Sequence, residues 1–371
     1  MSQLYAWDLD AERLTQVTDR PVGAVHGQMS ADGRHVYYLD DSKGDEIGHW
    51  VAVPATGDGQ HEDLTPTLPG YTSHDLTPSG DGRRLAFTAA MEDGHAVYVV
   101  YEAAGVRSEP RVIYRTSGLC WTIGFDADAR LLGVMSSERT GRARFSLIVF
   151  DVESGERVAE LWDGPESSIS GLQFSPAAGD ARAVGTSDAT GDRRPLLWDP
   201  QSGRREELPV AGPGETFPLD WSPDGREILL CRVHAAVQEL SVYESESGRL
   251  RRLDHPPGVY GFFGEIDTWF DGAGGIIAQW QDATHPPTVM LLDAGTGRPI
   301  RELLPPSPVP VSRPWRSVTF AVDGHEQIQA WLATPEGSGP FPAVIDTHGG
   351  PESVAMESFA PRGQSWVDMG F

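Results

Sequence analysis

Apolar and polar residues alternate in short runs along most of the chain, which is the pattern of β-strands with one buried face. His35 to Tyr38 and Phe145 to Val152 are two such runs. Asp-Gly and Ser-Gly steps separate many of them, and glycine at these steps supplies the positive φ that tight hairpins need. The pattern therefore predicts consecutive antiparallel hairpins over most of residues 22 to 304.

One phrase recurs six times: an apolar strand end, a small polar residue, a turn, and a second apolar strand. The copies are Met29 to Gly33, Thr77 to Gly82, Phe125 to Asp128, Phe174 to Asp180, Trp221 to Gly225, and a degenerate copy at Phe270 to Gly274. The aspartates of the first five copies, Asp32, Asp81, Asp128, Asp180 and Asp224, are 49, 47, 52 and 44 residues apart. This spacing is too regular for chance and indicates a structural repeat.

A second hairpin phrase lies between these copies, with a Ser-Gly turn such as Ser154-Gly155 and a short strand that ends in leucine. Each repeat thus holds four antiparallel strands, which is typical of a propeller blade. Ahead of the six complete repeats, Leu4 to Leu9 and Arg13 to Thr15 form half of one. We predict a mainly β fold with a seven-bladed β-propeller over residues 1–304. Its first blade is incomplete, and either strands from elsewhere complete it or, as we favour, the natural chain begins upstream of Met1.

The period ends at a proline-rich stretch, because successive prolines remove the donors of a β-ladder. We predict a linker over residues 305–317 and the beginning of a second, incomplete domain over residues 318–371. The predicted elements there are a hairpin from Val318 to Ala333 that turns at Asp323-Gly324, a buried strand over Ala343 to Thr347, and an amphipathic helix over Pro361 to Met369, closed by Gly370.

Composition excludes several classes of protein. The net charge of −25 opposes a phosphate backbone, so we expect no nucleic-acid partner. The chain has no apolar run long enough for a membrane span, and Met1 leads directly into strand-like sequence, which favours a soluble cytoplasmic protein with no membrane partner. Cys120 and Cys231, the two cysteines, lie in apolar stretches and are expected to be buried and reduced. The carboxylates of Asp40 to Glu46 lack the spacing of a calcium loop, so no metal is expected.

The last sixty residues carry the chemistry. A propeller of this repeat type, a proline-rich crossing, Gln329-Ala330-Trp331-Leu332, and a strand that ends in His348-Gly349-Gly350-Pro351 resemble the prolyl oligopeptidase family of serine peptidases, particularly its acylaminoacyl-peptidase and dipeptidyl-peptidase-like branches. The resemblance covers nearly the whole chain. It implies that the second domain is the start of an α/β-hydrolase domain and that no cofactor is used.

Glycines suit such a loop, because a backbone N–H can approach the oxyanion of an acyl-transfer transition state only where no side chain blocks it. By the resemblance, Gly350 is the expected donor, Gly349 shapes the turn, and His348 and Pro351 support the loop. His348 is not expected to be the catalytic base, since the family's catalytic histidine lies far downstream.

No Gly-x-Ser-x-Gly elbow follows His348 in this sequence. We therefore expect the Ser-Asp-His triad beyond Phe371, and expect residues 1–371 alone to be inactive. The parent protein is predicted to hydrolyse short or N-acylated peptides. The alternatives are an esterase or amidase on the same scaffold and, if the chain ends at Phe371, a propeller that binds a protein partner. Arg115, Trp121 and Arg232 are candidates for binding a substrate terminus. The sequence leaves the cleavage preference and homo-oligomer formation open.

Overall fold

The computed structural model describes residues 1–103, 106–261, 268–321, 323, 327–350 and 353–371. The chain forms two compact units, Met1–Leu208 and Pro209–Phe371, which are described in turn. Nearly all regular structure is β, and the described residues contain one short helix.

The first unit begins with a two-stranded hairpin, and four antiparallel sheets follow it. The hairpin is β1 Tyr5–Asp8 and β2 Arg13–Gln16. The first two sheets contain β3 Gly27–Met29, β4 His35–Asp40, β5 His49–Pro54 and β6 Glu62–Asp63, then β7 Leu76–Pro78, β8 Arg84–Met91, β9 Gly94–Ala103, β10 Val106–Arg107 and β11 Arg111–Thr116. The next two contain β12 Cys120–Phe125, β13 Leu131–Ser136, β14 Ser146–Asp151 and β15 Arg157–Leu161, then β16 Ile169–Phe174, β17 Ala183–Ser187, β18 Arg194–Trp198 and β19 Arg205–Glu207.

The second unit holds two more sheets of this kind and a C-terminal segment. The sheets contain β20 Glu215–Trp221, β21 Glu227–His234, β22 Val237–Glu244 and β23 Leu250–Arg252, then β24 Val259–Tyr260, β25 Thr268–Phe270, β26 Gly275–Gln281, β27 Thr288–Asp293 and β28 Pro299–Leu304. The C-terminal segment contains the hairpin β29 Arg316–Phe320 and β30 Ile328–Leu332, and the helix α1 Pro361–Asp368. Gly370, at φ +92°, follows the predicted helix end.

The repeated turn is built around one buried side chain. In the fifth sheet the Ser222 hydroxyl donates to Asp224 Oδ1 at 2.7 Å and accepts the N–H groups of Arg226 and Glu227 at 3.2 and 2.8 Å. Ser30 and Ser79 make the same contact to Asp32 and Asp81. The regular spacing of the aspartates therefore reflects a hydrogen-bonded turn that each of these sheets needs to join its first two strands.

Substituting Ser222 with alanine should destabilise the protein by about 1–3 kcal/mol, because the Glu227 N–H loses its side-chain acceptor and the Arg226 N–H keeps only Asp224 Oδ1. Ser247→Ala is the matched control: Ser247 is exposed and bonds Glu244 and Arg249 at a hairpin tip of the same sheet, so its loss should cost under about 0.5 kcal/mol. Urea unfolding of both variants measures the difference. Equal losses would show that the buried turn has no special role.

Two carboxylates each accept a backbone N–H from the sheet that follows along the chain. Asp75 Oδ2 accepts the N–H of Thr122 on β12 at 2.6 Å, and Asp220 Oδ2 accepts the N–H of Phe270 on β25 at 2.8 Å. Burial raises the pKa of Asp75, although hydrogen bonds from Thr122 and Thr88 oppose it. Burial also raises the pKa of Asp220 to about 6 against its backbone hydrogen bonds. Each contact therefore removes a carboxylate from water.

The apolar residues of neighbouring sheets pack against one another, as in a propeller. One cluster joins Leu229 and Leu240 of the fifth sheet to Ile276 and Leu292 of the sixth. Cys120 and Cys231 are buried free cysteines, as predicted, and burial raises the pKa of each thiol to about 12. Among the described helices, none is both long and apolar enough to cross a membrane.

The number of blades differs from the prediction. The described residues form six blade sheets rather than seven. The expected incomplete first blade is the separate hairpin β1–β2, whose Ala6 packs with Val36 and Val51 of the first sheet. No described strand pairs with the open edge of β1, and two strands alone do not make a blade.

The structure also contradicts the predicted buried strand over Ala343 to Thr347. This stretch has no regular structure, and the side chains of Val344 and Ile345 are 42% and 87% exposed. A strand of a parallel sheet needs neighbouring strands to bind its backbone groups, and none of the described residues provides one. The described part of the chain therefore forms no α/β-hydrolase layer. The domain bounds 1–304, 305–317 and 318–371 remain predictions.

Candidate functional site: the His348–Gly350 loop and its support

The candidate loop follows the hairpin β29–β30 in the second unit. The hairpin is regular, pairing Arg316 with Leu332 and Phe320 with Ile328. The predicted turn at Asp323-Gly324 lies partly outside the described residues. After β30 the chain runs without regular structure to His348, and we call residues 340–347 the approach segment. Its described anchor is the ion pair between Asp346 and Arg362 of α1, at 2.7 Å and largely exposed.

The two glycines of the loop have different backbone conformations. Gly350 has φ +127°, where a side chain would be strained, whereas Gly349 has no positive φ. A Cβ built on Gly349 would have no neighbour within 4 Å. His348 Nδ1 donates to the carbonyl oxygen of Gly349 at 2.9 Å. Pro351, the fourth predicted loop residue, lies outside the described residues. Of these two positions, Gly350 is therefore the one whose positive φ favours glycine.

The chain after the loop is held more firmly than the chain before it. We call residues 353–359 the return segment. Met356 is buried in a cluster with Ala236 and Val259, against which Val354 and Trp331 also pack. Trp331 Nε1 donates to the carbonyl oxygen of Ala355 at 2.9 Å.

A side chain of the sixth blade holds the far end of the return segment. The N–H of Phe359 donates to Gln281 Oε1 at 3.0 Å. Gln281 is the last residue of β26, and Phe359 follows Gly350 by nine residues. The return segment is therefore fixed by the β29–β30 hairpin and by the fifth and sixth sheets, all within the second unit.

Acidic side chains lie beside the return segment. Burial, and then the charge of Asp282, raises the pKa of Glu357. Burial opposes ionisation of Asp282 as well, but hydrogen bonds from His285 and Thr284 outweigh it and lower the pKa of Asp282. The charge of Asp282 therefore disfavours ionisation of Glu357.

Two of the three candidates for binding a substrate terminus lie in the first unit and the third lies in the second. Arg115 is exposed on β11 of the second sheet. Trp121, on β12, packs edge-on against Phe145 with ring centroids 5.1 Å apart. Arg232, on β21, is bound by Glu239, with Nε to Oε2 at 3.0 Å. Arg232 and Trp121 therefore have structural partners, and nothing in the described contacts directs the three toward a common ligand.

A cavity of about 390 Å³ lies beside the first residues of β22 in the second unit. His255 lines it, with Nδ1 donating to Pro256 O and Nε2 accepting the Leu240 N–H, both at 2.9 Å. Burial lowers the pKa of His255, so its ring is neutral. Glu239, also in the lining, binds Arg252 at 2.6 Å. The described residues contain no group of three or more His, Cys, Asp or Glu side chains that could hold a metal ion.

No protein-family model and no curated protein matches this sequence. Solved structures do match it. A puromycin hydrolase variant complexed with PGG has a TM-score of 0.78 at 16% identity over 100% of this chain. One of two prolyl endopeptidases studied for inter-domain dynamics has a TM-score of 0.76 at 12% identity over 96%. A puromycin-hydrolyzing peptidase of Mycobacterium tuberculosis has a TM-score of 0.73 at 17% identity over 97%.

At these identities the similarity shows the fold alone: a propeller of the kind found in those peptidase chains. The chain spans 61%, 55% and 60% of the length of the three matched proteins, respectively.

The sequence prediction missed the support of the loop. Trp331 belongs to the Gln329 to Leu332 motif, but the motif does not predict its hydrogen bond to the Ala355 carbonyl oxygen. Gln281 carries no local signal, because a glutamine at the end of a strand is usually a solvated surface residue.

Proposed function

We propose that this chain is the propeller and oxyanion-loop part of a serine hydrolase that cleaves short or N-acylated peptides. Its Ser-Asp-His triad would lie beyond Phe371. In this proposal the N–H of Gly350 binds the developing oxyanion, and the propeller limits which substrates reach it. The parent protein is proposed to be cytoplasmic.

The observation that carries the proposal is the agreement of the chain with peptidase structures beyond the propeller itself. The alignment to the puromycin hydrolase variant covers all 371 residues, including the C-terminal segment. In that segment a glycine with positive φ, Gly350, follows His348 and Gly349. An N–H with no side chain beside it is what an oxyanion site requires.

The test begins with the natural reading frame on both sides of residues 1–371. We expect it to continue past Phe371 to a Gly-x-Ser-x-Gly elbow followed by Asp and His. The protein from the whole frame should hydrolyse short peptide anilides, and substitution of the elbow serine with alanine should abolish the activity. Residues 1–371 alone should give no hydrolysis above buffer, because they lack nucleophile, base and the second oxyanion donor.

The substrate class is decided by comparing matched ester, amide and peptide substrates. Peptide hydrolysis supports the proposal, whereas activity on small esters or amides alone would make the protein an esterase or amidase. A stop codon directly after Phe371 would remove the enzymatic proposal, and a propeller that binds a protein partner would replace it.

A further inference from the structure

We propose that Gln281 is a positioning residue for the oxyanion loop: it ties the return segment, and through it Gly350, to the sixth propeller blade. The proposal rests on the proposed function, since it concerns the same loop. It adds to that function a residue outside the C-terminal segment, in the part of the chain predicted to be scaffold.

The two sides of the loop differ in how they are held. On the approach side, Val344 and Ile345 are exposed, and the Asp346–Arg362 ion pair lies at the surface, where such pairs contribute little. On the return side, Met356 is 8% exposed in its apolar cluster. The position of Gly350 is therefore set mainly from the return side.

Gln281 holds the end of the return segment that is farther from Gly350 in sequence. Trp331 and the Met356 cluster hold the first half of the return segment, and the Ser358 N–H donates to the Met356 carbonyl oxygen at 2.8 Å. The bond from Phe359 N–H to Gln281 Oε1 fixes the other end. A segment held at two points cannot slide along the blade, so its register is fixed, and with it the point from which the chain leads back to Gly350.

Gln281 is also suited to this position by its lack of charge. Asp282 is the next residue, and Glu357 lies close enough for the Asp282 charge to raise its pKa. A glutamine accepts the Phe359 N–H without adding a further negative charge to this pair. A glutamate would accept it too, but it would place a further carboxylate beside Asp282 and Glu357.

The experiment compares Gln281→Met, Gln281→Glu and Gln279→Met in the full-length protein of the natural frame. Methionine preserves the length of the side chain but cannot accept the N–H well, whereas glutamate can. Gln279 is on the same strand, and no hydrogen bond joins its side chain to the described residues of the return segment. Hydrogen exchange of residues 353–360 and steady-state kinetics are measured on each variant.

We expect Gln281→Met to speed amide exchange of Phe359 about tenfold and to lower kcat by about the same factor, with KM within twofold. Gln281→Glu should restore both toward wild type, because its carboxylate accepts the Phe359 N–H. Gln279→Met should change neither. Unchanged exchange in Gln281→Met overturns the anchor, and faster exchange with unchanged kcat overturns its positioning role. A wild-type protein without hydrolase activity instead overturns the proposed function, while the exchange result still decides the anchor.

Discussion

Gly350→Ala is expected to lower kcat of the parent hydrolase by roughly 100-fold or more. Gly350 has φ +127°, a region where an L-residue is strained by about 1–3 kcal/mol. The approach segment is exposed and can relax, so the strain is relieved by turning the peptide that carries the N–H. Loss of one oxyanion donor costs about 100- to 1000-fold in kcat. The measurement is kcat and KM on a peptide substrate.

Gly349→Ala is the matched control for this prediction. Gly349 has no positive φ, and its added Cβ would meet no atom within 4 Å. The variant should therefore keep kcat within about threefold of wild type. If Gly349→Ala is as damaging as Gly350→Ala, the loop tolerates no side chain for reasons other than backbone conformation. If neither variant loses activity, Gly350 is not the oxyanion donor.

The repeat could be predicted from the sequence because each turn carries its own local signal. The aspartates that the spacing relied on include Asp32, Asp81 and Asp224, and the structure shows the cause: each accepts a hydrogen bond from the serine two residues before it. Local hydrogen bonding imposes local sequence, so strand pairing within a sheet follows from it.

The two wrong predictions are the buried strand over Ala343 to Thr347 and the incomplete first blade. Both depended on neighbouring strands that a local pattern does not report. Ala343 to Thr347 has the apolar composition of a buried strand, but composition cannot report whether neighbouring strands are present to pair with it. The same holds for β1–β2, which has the pattern of half a blade and remains a two-stranded sheet. Periodicity shows that a segment is compatible with a β-strand. Whether the strand forms depends on a neighbouring strand to pair with it.

The candidate site divides in the same way. Gly350 was named because His348-Gly349-Gly350-Pro351 resembles a motif of the prolyl oligopeptidase family. The contacts that hold its segment, from Gln281 and from Ala236 at the β21–β22 turn, span from about 75 to 120 residues of sequence. No pattern within a window of ten or twenty residues reports such contacts. A three-dimensional structure is needed to find the residues that position a loop, even where the loop itself is recognisable in the sequence.

Asp220→Asn is expected to stabilise the protein near pH 7.5, and the gain should vanish near pH 4. Burial raises the pKa of Asp220 to about 6, above its unfolded value of about 3.8. The folded state therefore binds the proton more tightly than the unfolded state, and stability falls as pH rises from about 4 to 6. A rise of about two pKa units corresponds to about 3 kcal/mol, which is an upper value for the gain. Asparagine keeps an oxygen for the Phe270 N–H.

Asp224→Asn, in the same sheet, should show the opposite sign. The Ser222 hydroxyl and the Arg226 N–H lower the pKa of Asp224, so its ionised form contributes stability that is lost as pH falls through that pKa. Its substitution should weaken the protein at pH 7.5 and have less effect at low pH. Urea unfolding of wild type and both variants at pH 2.5, 4.5, 6 and 7.5 measures the two trends, since the Asp224 contribution is lost only below its unfolded pKa of 3.8. If Asp220→Asn destabilises at every pH, the hydrogen bond from the Phe270 N–H to the ionised carboxylate stabilises the protein by more than desolvation of the carboxylate destabilises it. Asp220 would then be ionised in the folded protein rather than a buried acid.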